Sequence, residues 1–170
     1  MEKLKGFREI SPYETENALK LIGKDYMLIT TPDKEGANAM TASWGCMGVL
    51  WSKPVAVCFI RPQRYSFGLA EQSDCFSLAF FGSERRDAMA ICGKQSGRDI
   101  DKMAACGFTL VETDGVPVIS DASLLLVCKK LYADDIKENC FVDRALLDNY
   151  KSADYHRMYI LEIQKTLVRQ

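Results

Sequence analysis

The chain has 170 residues, with 22 basic and 23 acidic side chains and a formal net charge of −1. That length sets a single domain as the expectation. The balanced charge argues against a general nucleic-acid binder, which carries a large basic excess. The chain contains one histidine, His156, and seven cysteines: Cys46, Cys58, Cys75, Cys92, Cys106, Cys128 and Cys140. No C-x-x-C or H-E-x-x-H spacing occurs, so the usual zinc and thioredoxin-like arrangements are excluded. An odd number of scattered cysteines is a poor disulfide framework, and the expectation is that they pack as small reduced hydrophobes in a cytoplasmic protein. Met1 to Ile10 has no apolar run, and no stretch approaches the ~18 apolar residues of a membrane span, so neither a signal peptide nor a membrane association is expected. Redox or acid–base chemistry in such a chain would fall to a bound organic cofactor.

In chain order, Ser11-Pro12-Tyr13-Glu14 carries a capping box and predicts a helix that Gly23 ends, giving an N-terminal helical extension over about 1–24. Tyr26 to Thr31 reads as a strand, followed by a turn over Pro32-Asp33-Lys34-Glu35-Gly36. A second strand runs from Met40 to Trp44 and on towards Leu50, with Gly45 and Gly48 marking a bulge or a close backbone approach. After a turn at Ser52-Lys53-Pro54, the apolar run Val55 to Ile60 predicts a strand buried on both faces. A short helix over Ser66 to Glu71, a strand over Cys75 to Phe81, and helices over Glu84 to Cys92 and Asp99 to Cys106 follow, with Trp51, Phe80 and Phe81 expected in the core. Thr113-Asp114-Gly115 links Phe108–Glu112 to Val116–Ile119 as a hairpin. The chain closes with a strand over Ser123 to Tyr132, a short helix over Arg144 to Tyr150, and a last strand over His156 to Val168 whose alternation slips once. Strands that are not separated by regular helices predict a mostly β, antiparallel barrel or sandwich rather than a doubly wound sheet. No repeat or linker divides the chain, so 1–170 reads as one domain.

Three segments combine polar groups with strand or turn positions. Asn38-Ala39-Met40-Thr41-Ala42-Ser43-Trp44-Gly45 places hydroxyls and small residues around a tryptophan. It suits either a strand lying against a flat ligand or a plain strand with solvated hydroxyls. Arg61-Pro62-Gln63-Arg64-Tyr65-Ser66 follows the apolar run and offers guanidinium forks beside a helix start, both suited to phosphate; a solvated loop is the alternative. Lys94-Gln95-Ser96-Gly97-Arg98-Asp99-Ile100-Asp101-Lys102 supplies a possible helix cap at Ser96 and an anion nest near Gly97, or else a charged surface loop. His156 is the one side chain whose ordinary pKa lies near neutrality, in either a catalytic or a structural role.

Taken in order, N-x-M-T-x-S-W-G, R-P-x-R-Y-[ST] and S-G-R-D-x-D-K resemble the flavin reductase-like, FMN-binding split-barrel proteins, and most nearly their flavoredoxin-like branch. Tyr155-His156-Arg157-Met158-Tyr159-Ile160-Leu161-Glu162-Ile163 is similar to the family's terminal strand, with Leu161 where a glycine is common. The resemblance spans roughly Tyr26 to Ile163. It implies a six-stranded antiparallel split β-barrel with Greek-key topology, usually a homodimer, with FMN bound non-covalently at the dimer interface. By the same resemblance Met40, Thr41, Ala42, Ser43 and Trp44 line the ring and ribityl chain. Arg61, Gln63, Arg64, Tyr65 and Ser66 hold the phosphate region, and Ser96, Gly97, Arg98 and Lys102 add a second polar group. His156 is the candidate proton donor or orienting residue. The implied function is an oxidoreductase passing hydride from NAD(P)H through FMN to flavin or another acceptor. Its alternative is a flavoredoxin-like electron carrier reduced by a partner protein, without its own nicotinamide site.

Overall fold

The structure is a computed structural model that describes residues 4–34 and 36–170. Its body is one antiparallel sheet. In chain order the strands are β1 (Phe7–Ile10), β2 (Met27–Asp33), β3 (Gly36–Ala42), β4 (Gly45–Leu50), β5 (Lys53–Ile60), β6 (Cys75–Phe80), β9 (Leu124–Asp135) and β10 (Arg157–Arg169). They run in the order β3-β2-β6-β9-β10-β5-β4, with β1 added to β10. The hairpin β7 (Leu110–Thr113) and β8 (Val116–Ile119) forms a separate two-stranded sheet. The mostly β antiparallel architecture is the one expected. The strand number is larger than six because β1 and β4 add to a six-strand run from β3 to β5.

Period-two alternation explains the two cores. Met27, Ile29, Phe76, Leu78, Phe80, Leu126 and Cys128 point to one face and pack with Tyr159 and Leu161. Leu28, Ala79, Leu125 and Val127 point to the other, under Phe81, Phe108 and the helices. The strand buried on both faces is therefore the Leu124 to Cys128 part of β9. In β5 only Ala56, Cys58 and Ile60 enter the first core, while Val57 and Phe59 stay half-buried. The expected slip in β10 is present as two register shifts against β9, between Ile160 and Leu161 and between Ile163 and Lys165.

Among the described residues four α-helices complete the fold: α1 (Ala18–Lys20), α2 (Tyr65–Gln72), α3 (Arg86–Lys94) and α4 (Lys102–Cys106). The N-terminal extension departs from the helix predicted over about 1–24, of which residues 1–3 lie outside the described residues. The capping box at Ser11 and Glu14 is formed, but it closes only a single 3-10 turn, Pro12–Glu14. Asn17 caps a second start at Ala18, and a wide turn carries it through Gly23 to Asp25. Phe7, buried under Arg169, draws the preceding residues into β1 instead.

The strand predicted from Met40 towards Leu50 is broken at Ser43 and Trp44, where the chain leaves β2 and joins β5. Gly45 makes the close approach: a Cβ there would lie 2.5 Å from Val57 O. Gly48 makes none. Asp114 and Gly115 both have positive φ, as a tight hairpin turn requires. Trp51, expected in the core, occupies the β4–β5 turn with φ of 51° and is 57% exposed. Among the described residues no helix is long and apolar enough to cross a membrane.

Candidate functional site

Where β3 ends, the broken edge of the sheet opens a cleft of about 270 Å³ lined by Met40, Thr41, Ala42, Ser43, Trp44, Phe59, Arg61, Arg64 and His156. The first wall is held by helices. Thr41 Oγ1 donates to Met89 O of α3 at 2.6 Å. Arg64 donates to Gly93 O at 2.8 Å and to Cys92 O at 3.3 Å. Lys102 is buried, and its Nζ donates to Ala39 O at 2.8 Å and Cys92 O at 3.1 Å. Burial lowers the Lys102 pKa, opposed by the nearby Cys92 thiol and reinforced by Arg64. Its contact atoms are backbone carbonyls, so its place is behind β3 rather than on the cleft surface.

Peptide groups of a strand alternate in direction. Ala39 O meets Lys102 on the outer side of β3, so the Thr41 peptide group shares that outward direction at the cleft. Arg64 precedes α2, which starts with no side-chain cap. The helix start and the guanidinium together make an environment suited to an anion.

The second wall is the segment between β9 and β10. Arg61 pairs with Asp154 and donates to Asn149 O at 3.0 Å, and Gln63 Nε2 donates to Asp154 Oδ2 at 2.7 Å. These bonds hold the Asp154 carboxyl below the usual carboxylate range. The Arg61 guanidinium also lies 5.2 Å from the Tyr150 ring centre. Tyr150 stacks on Tyr155 at 4.9 Å, and its hydroxyl is 3.0 Å from His156 Nδ1. The His156 ring lies 4.9 Å from Trp44 and 6.4 Å from Phe59. Burial, aided by Arg61 and opposed by Asp154, pulls the His156 pKa from 6.5 down to about 4. The lowered pKa keeps the imidazole mainly neutral at pH 7.

Of the residues singled out in the sequence, eight line the cleft: Met40, Thr41, Ala42, Ser43, Trp44, Arg61, Arg64 and His156. Tyr65 and Arg98 line an adjoining depression that shares Arg64. There the Arg98 guanidinium is 5.2 Å from the Tyr65 ring centre, and Tyr65 Oη donates to Asp33 Oδ2 at 2.9 Å. Ser66 is buried and accepts from Asn38 Nδ2 at 2.7 Å. Gly97 packs so tightly that a Cβ would collide with Asn38 Oδ1 and lie 2.7 Å from Tyr65 Cδ1. Ser96 does not cap α4. Its hydroxyl accepts from Arg98 N, and Asp101 caps the helix, accepting from Met103 N and Ala104 N.

Phe59, Tyr150 and Asp154 are additions to the site. Alternation along Val55–Ile60 would have separated Phe59 from Cys58 and Ile60. Nothing in the sequence pairs Tyr150 with His156, or Arg61 with Asp154.

An exposed indole, an outward peptide group, a guanidinium beside an uncapped helix and a neutral imidazole suit a flat ligand with an anionic tail. Comparison with solved structures finds the same fold. A flavoredoxin from Methanosarcina acetivorans aligns with a TM-score of 0.67 and 19% identity over 86% of this chain and 69% of its own. An FMN-binding domain of a flavin reductases-like enzyme from Shewanella baltica OS155 aligns with a TM-score of 0.67 and 20% identity, covering 96% and 77%. An NADH:FAD oxidoreductase from Streptomyces globisporus C-1027 aligns with a TM-score of 0.63 and 15% identity, covering 86% and 75%. No curated protein matches. The profile of the flavin reductase like domain matches residues 19–169, nearly the whole sheet and both walls of the cleft, and the chain belongs to that family.

Proposed function

We propose that the chain binds FMN in this cleft and works as an oxidoreductase, taking hydride from NAD(P)H and passing electrons to free flavin or another acceptor. The observation that carries the reading is the convergence of Trp44, Arg64 and His156 on one opening, with the uncapped start of α2 in the adjoining depression that shares Arg64. Bound FMN would supply the hydride and electron chemistry. The protein's part is to bind and orient. Trp44 and Phe59 would offer apolar surface, the outward peptide group of Thr41 would offer a polar partner, and Arg64, shared with the depression at the first turn of α2, would hold the anionic tail. Tyr65 and Arg98 extend the polar surface from Arg64. Ser66, Ser96, Gly97 and Lys102 shape this region from behind, and Gln63 steadies Asp154.

His156 takes the orienting role. Its neutral ring makes it a poor store of an exchangeable proton at pH 7. The hydrogen bond between the Tyr150 hydroxyl and Nδ1 holds the ring in place beside Trp44. Substituting His156 by Gln should weaken reduction without moving a pH–rate profile near neutrality. A profile whose midpoint disappears would identify a proton donor instead.

The cleft lies just below the roughly 300–1,000 Å³ of small-molecule sites, so a second copy completing it is part of the proposal. β4 is a sheet edge exposing Val49 and Leu50, and Trp51 stands at the turn with Tyr132 6.4 Å away. Positive φ at Trp51 and Ser52 is what the two-residue turn between β4 and β5 requires; the exposed indole is the feature that burial against a partner subunit would account for.

The likeness of the fold to a flavoredoxin supports one second reading: an electron carrier reduced by a partner protein, without its own nicotinamide site. Anaerobic mixing with NADH and NADPH separates the two. Rapid bleaching of the flavin band supports the reductase; a stable band at saturating nucleotide supports the carrier.

A further inference from the structure

Two cysteines far apart in the sequence meet behind the first wall. Cys92 lies on α3 and is fully buried; Cys106 is the last residue of α4 and is half-buried. Their Sγ atoms are 3.7 Å apart, while Cys106 Sγ also donates to Ala88 O. Both are free thiols at this distance, since a disulfide bond measures about 2.05 Å. Closure therefore requires the sulfurs to approach by less than about 2 Å, within reach of side-chain rotation and a small shift of α4. Of the two exposed thiols, Cys46 and Cys140, the Cys140 Sγ contacts Asn139 Oδ1 rather than a second sulfur.

The surroundings divide the two roles. Cys106 is the more exposed residue of the pair, so it is the one placed to meet a reagent first. Cys92 is enclosed, and burial, with the Cys106 thiol adding to it, pushes its pKa up to about 12 against the opposing charges of Lys102 and Arg64. A thiol of that kind reacts poorly with a reagent from solution but is placed to attack a sulfur already beside it.

We propose that Cys92 and Cys106 form a reversible disulfide, a modification site that clips α3 to α4. The oxidant class is a low-molecular-weight disulfide such as oxidised glutathione. The Cys106 thiolate attacks one sulfur of the reagent, whose S–S bond breaks, and the expelled thiolate takes up a proton. Cys92 then attacks Cys106 Sγ, gives up its proton and expels the second thiol. Two protein thiols are oxidised by two electrons, and one reagent disulfide is reduced to two thiols. The clip has a place in the architecture of the cleft. Cys92 O holds both Lys102 and Arg64, and Met89 O on the same helix holds Thr41. Oxidation thus fastens the helix on which the first wall hangs. The inference stands on the two sulfurs and does not depend on the flavin reading.

The test is to incubate the full-length protein with oxidised glutathione and map its peptides by mass spectrometry without reduction. Tryptic cleavage after Lys94 and Lys102 separates the two cysteines. The expected product links peptide 87–94 to peptide 103–129 through Cys106, with the protein lighter by two hydrogens, and dithiothreitol reverses it. The product should form in a C46S/C140S variant and be absent in C106S. Recovery of Cys92 and Cys106 as free thiols while Cys46 and Cys140 react would overturn the proposal. So would a stable glutathione adduct on Cys106 with Cys92 free, or a link that falls on Cys128. The wild-type map decides the matter even if a variant folds poorly.

Discussion

The two walls of the cleft are built by different physics. The helical wall is buried: a lysine ammonium and a guanidinium are spent on backbone carbonyls, and Gly97 leaves no room against Asn38. The other wall rests on a half-exposed Arg61–Asp154 pair and a stack of rings ending on His156. Buried polar groups lose their water on folding and are costly to leave unpaired, whereas exposed ion pairs compete with solvent and contribute little. Damage to the helical wall should therefore appear as lost stability. Damage to the other wall should appear as a loosened segment on an intact fold.

The largest effect expected is at Lys102. Lys102→Met strands the carbonyl of Ala39, leaves Cys92 O to Arg64 alone, and should cost about 3 kcal/mol, read from chemical denaturation. A loss near zero would mean that the ammonium is not needed inside. Gly97→Ala comes next: the added methyl meets Asn38 and Tyr65, and an overpacking cost of about 2 kcal/mol is expected. If Gly97→Ala matches the wild type in the same denaturation curve, the wall is more pliant than its geometry indicates.

The third prediction is a pH dependence. His156 binds a proton near 6.5 when unfolded and near 4 when folded. In that interval the unfolded chain holds more protons, so stability is complete above about pH 6.5 and falls as the pH drops towards 4. The single histidine gives one imidazole signal in NMR, and its midpoint should lie near 4. A midpoint at 6.5 would show an open, solvated ring. The smallest effect on stability is expected for Asp154→Ala. The melting temperature should stay close to that of the wild type, while limited proteolysis between Glu138 and Asp154 speeds up. Equal losses of stability for Asp154→Ala and Lys102→Met would erase the contrast between the walls.

The legible parts of the sequence were those where a local rule acts alone. The Asp114-Gly115 turn, the helix ending at Gly107 and the antiparallel order follow from turn chemistry and alternation. The grouping of Met40 to Trp44 with Arg64 and His156 in one cleft was legible only through the resemblance of the ordered motifs to a family. Rules that need a distant partner were not legible. β1 exists because Phe7 finds a pocket beneath Arg169 at the other end of the chain. Arg61 reads as a phosphate ligand until Asp154, Asn149 and Tyr150 come up beside it. Lys102 reads as a surface cation until Ala39 O and Cys92 O meet it inside. Trp51 reads as core because its bulk is apolar, yet it lies on a turn.

Titration of the purified protein with FMN, followed by the visible band and by tryptophan fluorescence, tests the central claim most directly. Saturable uptake of one FMN per chain is expected, with quenching that is lost in Trp44→Ala and affinity that falls in Arg64→Ala. A protein that stays colourless and takes up no FMN, or binding indifferent to both substitutions, would contradict the assignment of this cleft.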